Sequence, residues 1–286
     1  MSQVFDNRPC DLGEGPLWHP ERQQLFWFDI NNKRLLTREA DEQNSWDFAE
    51  HVSAAGWVDK DTLLIASETG LWRLSLTTAE KKLLCPLEAD NPITRSNDGR
   101  ADPWGGFWIG TIGKQAEPHA GSIYRFWKGE LRRLVPNVTI SNAICFAPDR
   151  SCAYYTDTTT RKVMYWGLNP ETGWPEGEAS VFLDFREEAL NPDGAVVDAA
   201  GHIWIAQWGA ARVACYDPSG QFQHAVTFDA AHTSCPAFGG DDLNTLFCTT
   251  AREGLNAETL RTQPRNGMTF FAPNAGQGQA EHRVLL

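Results

Sequence analysis

The chain has 286 residues, 42% of them hydrophobic and 22% charged, and its 25 Lys+Arg against 37 Asp+Glu leave a net charge of −12. That balance belongs to a soluble globular protein, and the negative sign argues against a nucleic-acid backbone or an anionic membrane as partner, since both need a cationic face. No apolar run approaches the roughly 18 residues of a membrane span, and Met1-Ser2-Gln3-Val4-Phe5-Asp6 lacks the basic end and apolar segment of a secretory signal, so the cytoplasm is the expected compartment.

Taken in chain order, the strongest elements are short β-type runs: Leu25–Asp29, Thr62–Ala66, Gly106–Gly110, Cys152–Thr156, His202–Ala206 and Thr245–Thr249. Each is rich in β-branched or aromatic residues and follows a Gly, Pro, Asp or Asn turn. Five of the runs have a second strand of similar cast behind them, at Arg34–Leu36, Gly70–Leu74, Ser122–Phe126, Lys162–Trp166 and Arg212–Tyr216. Helical periodicity is confined to Ala257–Thr262, enough for a turn or two. The seven cysteines, at positions 10, 85, 145, 152, 215, 235 and 248, contain no Cys-x-x-Cys spacing and read as reduced, packed thiols.

The runs recur. Turn anchors at Pro20, Asp59, Asp102, Pro148, Asp198 and Asp241 precede them at spacings of 39, 43, 46, 50 and 43 residues. Six units of about four strands at a period near 40–50 residues predict a single all-β domain over 1–286, a six-bladed β-propeller. A sandwich would not require the same internal order in every unit. Which strand is shared across the ring closure is left open.

Equivalent positions of successive blades surround one central channel. Five or six residues before each anchor stand Glu14, Ser53 or Ala54, Asn97, Asn142, Asp193 and Cys235. Two carboxylates and two amides at one position of an otherwise apolar repeat predict a polar site at one mouth of the channel. Two carboxylates forced together either share a proton or flank a cation. Oxygen donors without His or thiolate suit a hard divalent cation such as Ca²⁺, Mg²⁺ or Mn²⁺, with coordination positions open for water and substrate. Cys235 is expected to pack. Arg95 and Asn97, two residues apart on an extended backbone, share one side. No Gly-x-Ser-x-Gly elbow or His-Glu-x-x-His spacing offers another chemistry.

The segments Gly13-Glu14-Gly15-Pro16, Arg95-Ser96-Asn97-Asp98-Gly99, Ser141-Asn142-Ala143 and Asn191-Pro192-Asp193-Gly194 resemble, in order and separation, the four site motifs of the gluconolactonase/regucalcin family. Ala116–Arg125, Thr233-Ser234-Cys235 and Ala251-Arg252-Glu253-Gly254 resemble further family segments, so the likeness runs to about Gly267. It implies a six-bladed propeller with one divalent cation (Ca, Mg, Mn or Zn) held by Glu14, Asn142 and Asp193, with Asp193 also the general base. Arg95 and Asn97 match substrate-contacting positions. Ala143 departs from the resemblance, standing where Gly is common.

The expected activity is hydrolysis of a sugar-acid lactone, an aldonolactone or aldarolactone, by a monomer or weak oligomer. Glu117, in the longer loop after Thr111, is a candidate lid and substrate contact with Lys114. Trp208 is the first candidate for stacking on a sugar face, ahead of Trp18 and Trp57, whereas Trp108 and Trp204 are expected in blade packing. The competing readings are a metal-dependent esterase or organophosphate hydrolase on the same scaffold, and a non-enzymatic Ca²⁺-binding propeller.

Overall fold

The alternation of short apolar runs with Gly, Pro, Asp and Asn turns folds, in the computed structural model describing residues 2–286, into six four-stranded antiparallel sheets. Met1 lies outside the described residues. Five sheets take their strands in chain order: Gly13 to Asp47 form blade 1, Val52 to Pro86 blade 2, Thr94 to Val138 blade 3, Ser141 to Asp184 blade 4 and Asn191 to Thr227 blade 5. Blade 6 builds outward from His232–Gly239 through Thr245–Ala251 and Thr269–Ala272, and its outermost strand is Gln3–Asp6 from the start of the chain. That pairing closes the ring and identifies the shared blade. No helix among the described residues is long and apolar enough to cross a membrane, and Ala257–Thr262 is the short helix expected, capped by the Asn256 side chain.

Six buried apolar clusters lie one between each pair of neighbouring blades. The second-strand tryptophans Trp27, Trp108 and Trp204 are among the largest fully buried side chains, as the strand pattern predicts for the last two. All seven cysteines are free. Three of the turn anchors, Asp59, Asp102 and Asp198, work through their carboxylates. Asp198 Oδ1 accepts the backbone N–H groups of Ala200 and His202, each at 2.9 Å. Asp102 Oδ1 does the same for Trp104 and Gly106, each at 2.9 Å, while its Oδ2 accepts from Arg125 Nε at 2.7 Å.

The polar C-terminal segment, which shows no periodicity in sequence, crosses the channel where the innermost strands end. The Gln279 amide donates to the carbonyls of Phe146 and Val197, Glu281 pairs with Arg100 at 2.8 Å, and Val284 is buried against Gly56. These contacts join blades 2, 3, 4 and 5 across that end of the channel.

His282 lies within this crossing segment, and burial pulls its imidazole down to about 4 although Asp102 favours the charged form. A base whose folded pKa lies below its unfolded value contributes stability that is complete above the unfolded pKa and is lost as pH falls through the folded one. Thermal scans between pH 7 and pH 4 should therefore show a loss of about 1–3 kcal/mol in the parent that is missing in His282→Gln, one pKa unit being worth about 1.4. Equal acid sensitivity in the two proteins would contradict it.

Candidate active site

The innermost strands all start at the opposite face, and each carries a register shift near its start: Glu14/Leu17, Val52/Ala54, Ser96/Gly99, Asn142/Cys145, Pro192/Ala195 and Thr233/Pro236. Such bulges interrupt pairing and re-aim side chains. Glu14, Ser53, Asn97, Asn142, Asp193 and Cys235 all fall at or inside these shifts, so the repeat register selects positions that the backbone itself singles out. Gly15 has φ +53°, and a side chain there would collide with the Ser53 carbonyl. Ala143 takes the same left-handed conformation at φ +56°, which explains why glycine suits that position.

Glu14, Arg95, Asn97, Asn142, Asp193 and Trp208 together line a cavity of about 710 Å³ at this mouth, within the usual range for small-molecule sites. Hydrogen bonds between blades hold them. The Ser53 hydroxyl donates to the Asn97 carbonyl at 2.6 Å. Asn97 Nδ2 donates to the Ser141 carbonyl at 2.9 Å and to Asn142 Oδ1 at 3.2 Å. Asn142 Nδ2 donates to Thr158 Oγ1 at 3.0 Å, and that hydroxyl donates to the Pro192 carbonyl at 2.7 Å. The amide of Asn142 is thereby turned with its oxygen toward Asn97. One terminal nitrogen of Arg95 donates to Asn97 Oδ1 at 2.8 Å and to the Ser96 carbonyl at 2.9 Å, so the guanidinium fixes its neighbour.

Other candidates lie elsewhere. Glu117 does not line the cavity: its carboxylate accepts the Gln115 backbone N–H at 3.0 Å and shapes its own loop. Lys114, beside it, does line the cavity. Trp18 stacks on Phe247 and Trp57 donates to the Glu281 carbonyl of the C-terminal segment on the other side. Trp208 lines the cavity, stacks on His232 with ring centroids 4.2 Å apart and packs against the apolar cluster between blades 1 and 2. Cys235 is buried against Gly194 and packs.

Burial dominates the electrostatics. It pushes Glu14 up to about 8, helped by Asp98, against the Gly15 N–H and Arg95, which favour the anion. Asp193 is held well above the usual carboxylate range by burial and by the charges of Glu14 and Asp98. Neither has an ion-pair partner among the described residues. Asp98 and Glu253 are the acidic groups that the motif reading leaves out. Asp98 sits at the blade 3 bulge, is raised to about 6 by burial, and accepts the Ile144 N–H at 2.7 Å. Its only sequence signal is its place between Asn97 and Gly99. Glu253 lines the cavity from the segment after blade 6's second strand.

The described residues contain no group of three His, Cys, Asp or Glu side chains arranged to hold a metal. The expected ligand set has two carboxylates and an amide, and the metal site is taken up below as a proposal. Its chemistry fits a hard cation: the donors are oxygens, and two buried acids without a counter-ion gain most from a positive charge between them.

Residues 12–252 match the SMP-30/Gluconolactonase/LRE-like region. The crystal structure of a calcium-binding protein, regucalcin, from Agrobacterium tumefaciens C58 superposes with a TM-score of 0.98 at 37% identity, covering 100% of this chain and 98% of that one. L-arabinolactonase of Azospirillum brasilense is 33% identical over 279 residues, 95% of this chain and 91% of the relative. The 6-deoxy-6-sulfogluconolactonase of Pseudomonas putida is 32% identical over 271 residues, 92% and 91% of the two chains. With a propeller, a polar channel mouth and a match over most of its length, the chain belongs to the SMP-30/gluconolactonase/LRE-like family.

Proposed function

We propose that the protein hydrolyses a sugar-acid lactone to the free acid at the channel mouth. The observation that carries this reading is the pair of buried carboxylates, Glu14 and Asp193, facing a cavity that also presents Arg95 and Asn97. Relatives whose names specify an L-arabinolactone and a 6-deoxy-6-sulfogluconolactone, both matched over nine-tenths of this chain, support the reaction class. Glu14, Asn142 and Asp193 would hold a divalent cation, which when bound supplies Lewis-acid polarisation of the carbonyl and stabilises developing negative charge.

The chain's own residues then have separable tasks. Asp193 takes a proton from the water that attacks the lactone carbonyl carbon, and the acyl–oxygen bond of the ring breaks as that proton passes to the departing ring oxygen. Water and lactone together balance to one sugar acid: the water oxygen joins the carbonyl carbon, and the proton that Asp193 removes ends on the new hydroxyl. Ligation and proton transfer compete for the Asp193 carboxylate, so the proton goes to whichever oxygen is not ligating. Both N–H donors of Asn97 are taken by the Ser141 carbonyl and Asn142 Oδ1, which leaves the remaining nitrogens of Arg95 as donors to substrate oxygens.

A pH-indicator assay over aldono- and aldarolactones, with EDTA and with Mg²⁺, Mn²⁺, Ca²⁺ or Zn²⁺ restored, tests this reading. Turnover of at least one lactone that stops with chelator and returns with one cation is the expected result. No turnover of any lactone under all cations would overturn it.

A further inference from the structure

The cavity is bipolar. Its acidic residues Glu14 and Asp193 are buried in the floor, whereas Lys114, Arg161 and Arg186 line it from partly or fully exposed positions. Three cations on one rim stand out on a chain of net charge −12. Two of them are neutralised: Lys114 donates to Glu68 at 2.7 Å, and Arg186 pairs with Asp184 at 2.6 Å. Arg161 is different. It follows the 3-10 turn Thr158–Thr160 in a left-handed conformation at φ 57°, and it has no carboxylate partner among the described residues. Its one side-chain hydrogen bond runs from Nε to Asn191 Oδ1 at 3.2 Å, which directs the guanidinium while leaving both terminal nitrogens free of protein acceptors.

A tethered guanidinium with a free fork is a receptor for a planar or tetrahedral oxyanion, because its paired donors match carboxylate, sulfonate and phosphate geometry. The exposed Thr159 and Thr160 also line the cavity beside it, but their hydroxyls donate to Asp157 at 2.7 and 2.8 Å, so the free donors of this rim are the terminal nitrogens of Arg161. We infer that the rim around Arg161 is a subsite for an anionic group at the end of the substrate remote from the reacting carbonyl. This rests on the lactone reading and narrows it: the preferred substrate is a lactone carrying a terminal carboxylate, sulfonate or phosphate, with its ring carbonyl at the acidic floor and its anionic end at the rim.

The test compares D-glucono-1,5-lactone with its 6-phosphate, its 6-deoxy-6-sulfonate and the lactone of glucaric acid, in the parent, Arg161→Gln and Arg161→Lys. The parent should favour at least one anionic lactone by about 10-fold or more in kcat/KM, the scale of one charge-assisted hydrogen-bond pair. The preference should reside in KM, weaken in 0.5 M salt, fall toward parity in Arg161→Gln and return in part in Arg161→Lys. Which of the three anions leads identifies the natural end group. Calorimetric binding of gluconate, glucarate and 6-phosphogluconate, which needs no turnover, separates the two layers. Lactone hydrolysis without anionic preference overturns the subsite and leaves the lactonase reading standing. Tighter binding of the dianionic acids that Arg161→Gln abolishes, with no lactone turned over, overturns the reaction and keeps the subsite. Equal binding of all three acids in parent and variant overturns the subsite whatever the lactones do.

Discussion

Asp193→Asn should hydrolyse lactone at least about 10³-fold more slowly than the parent, within the range by which a positioned general base contributes. The amide keeps the size and shape of the carboxylate but removes both the proton acceptor and an anionic donor. It also removes charge from a site where burial, Glu14 and Asp98 already oppose ionisation of Asp193, so the metal-free variant should melt no lower than the parent at pH 8. Steady-state rates together with thermal scans read both effects. A variant retaining a tenth of parental activity would remove Asp193 from the chemistry, and a clear drop in melting temperature would assign it a structural role instead.

The largest loss of stability should follow from Arg125→Met, far from the cavity. Arg125 and Asp102 are both fully buried, 2.7 Å apart. The guanidinium also donates to the Thr172 carbonyl at 2.8 Å and lies 4.5 Å from the Trp174 ring centroid. Methionine fills much of the space but leaves Asp102 as a buried charge with only backbone donors, a change that costs about 3–5 kcal/mol. Arg186→Met, which breaks the solvent-exposed pair with Asp184, should leave the denaturation midpoint near that of the parent. Denaturant titration of both variants checks the contrast. Equal midpoints would mean that the turn at Asp102 is held by its two backbone N–H bonds alone.

Much of the fold was legible because a propeller repeats its grammar. The anchors at Asp59, Asp102 and Asp198 are turn residues whose carboxylates cap the hairpin that follows, so their spacing reports blade size directly. Glu14, Asn97, Asn142 and Asp193 were legible by the same logic, since polar residues at one position of an apolar repeat must share one mouth. What alternation could not disclose is the bulge. It removes the simple two-residue period at Asn97-Asp98, so Asp98 reads as a neighbour pointing away although its charge acts on both Glu14 and Asp193. The Glu117 side chain is directed by a local contact to Gln115, which no repeat encodes. The partition of Trp18 and Trp57 from Trp208 depends on which end of a strand faces the cavity. The C-terminal segment was opaque because it makes no strand of its own: its bonds go to the carbonyls and side chains of other blades.

That segment changes the traffic through the molecule. A bare propeller is a tunnel with two doors, and a small solute could enter by one and leave by the other. Here the tail lies across one of those doors, tied to Arg100, Phe146 and Val197. On the lactonase reading, the acid released by ring opening then leaves through the entrance its precursor used, past the same arginines.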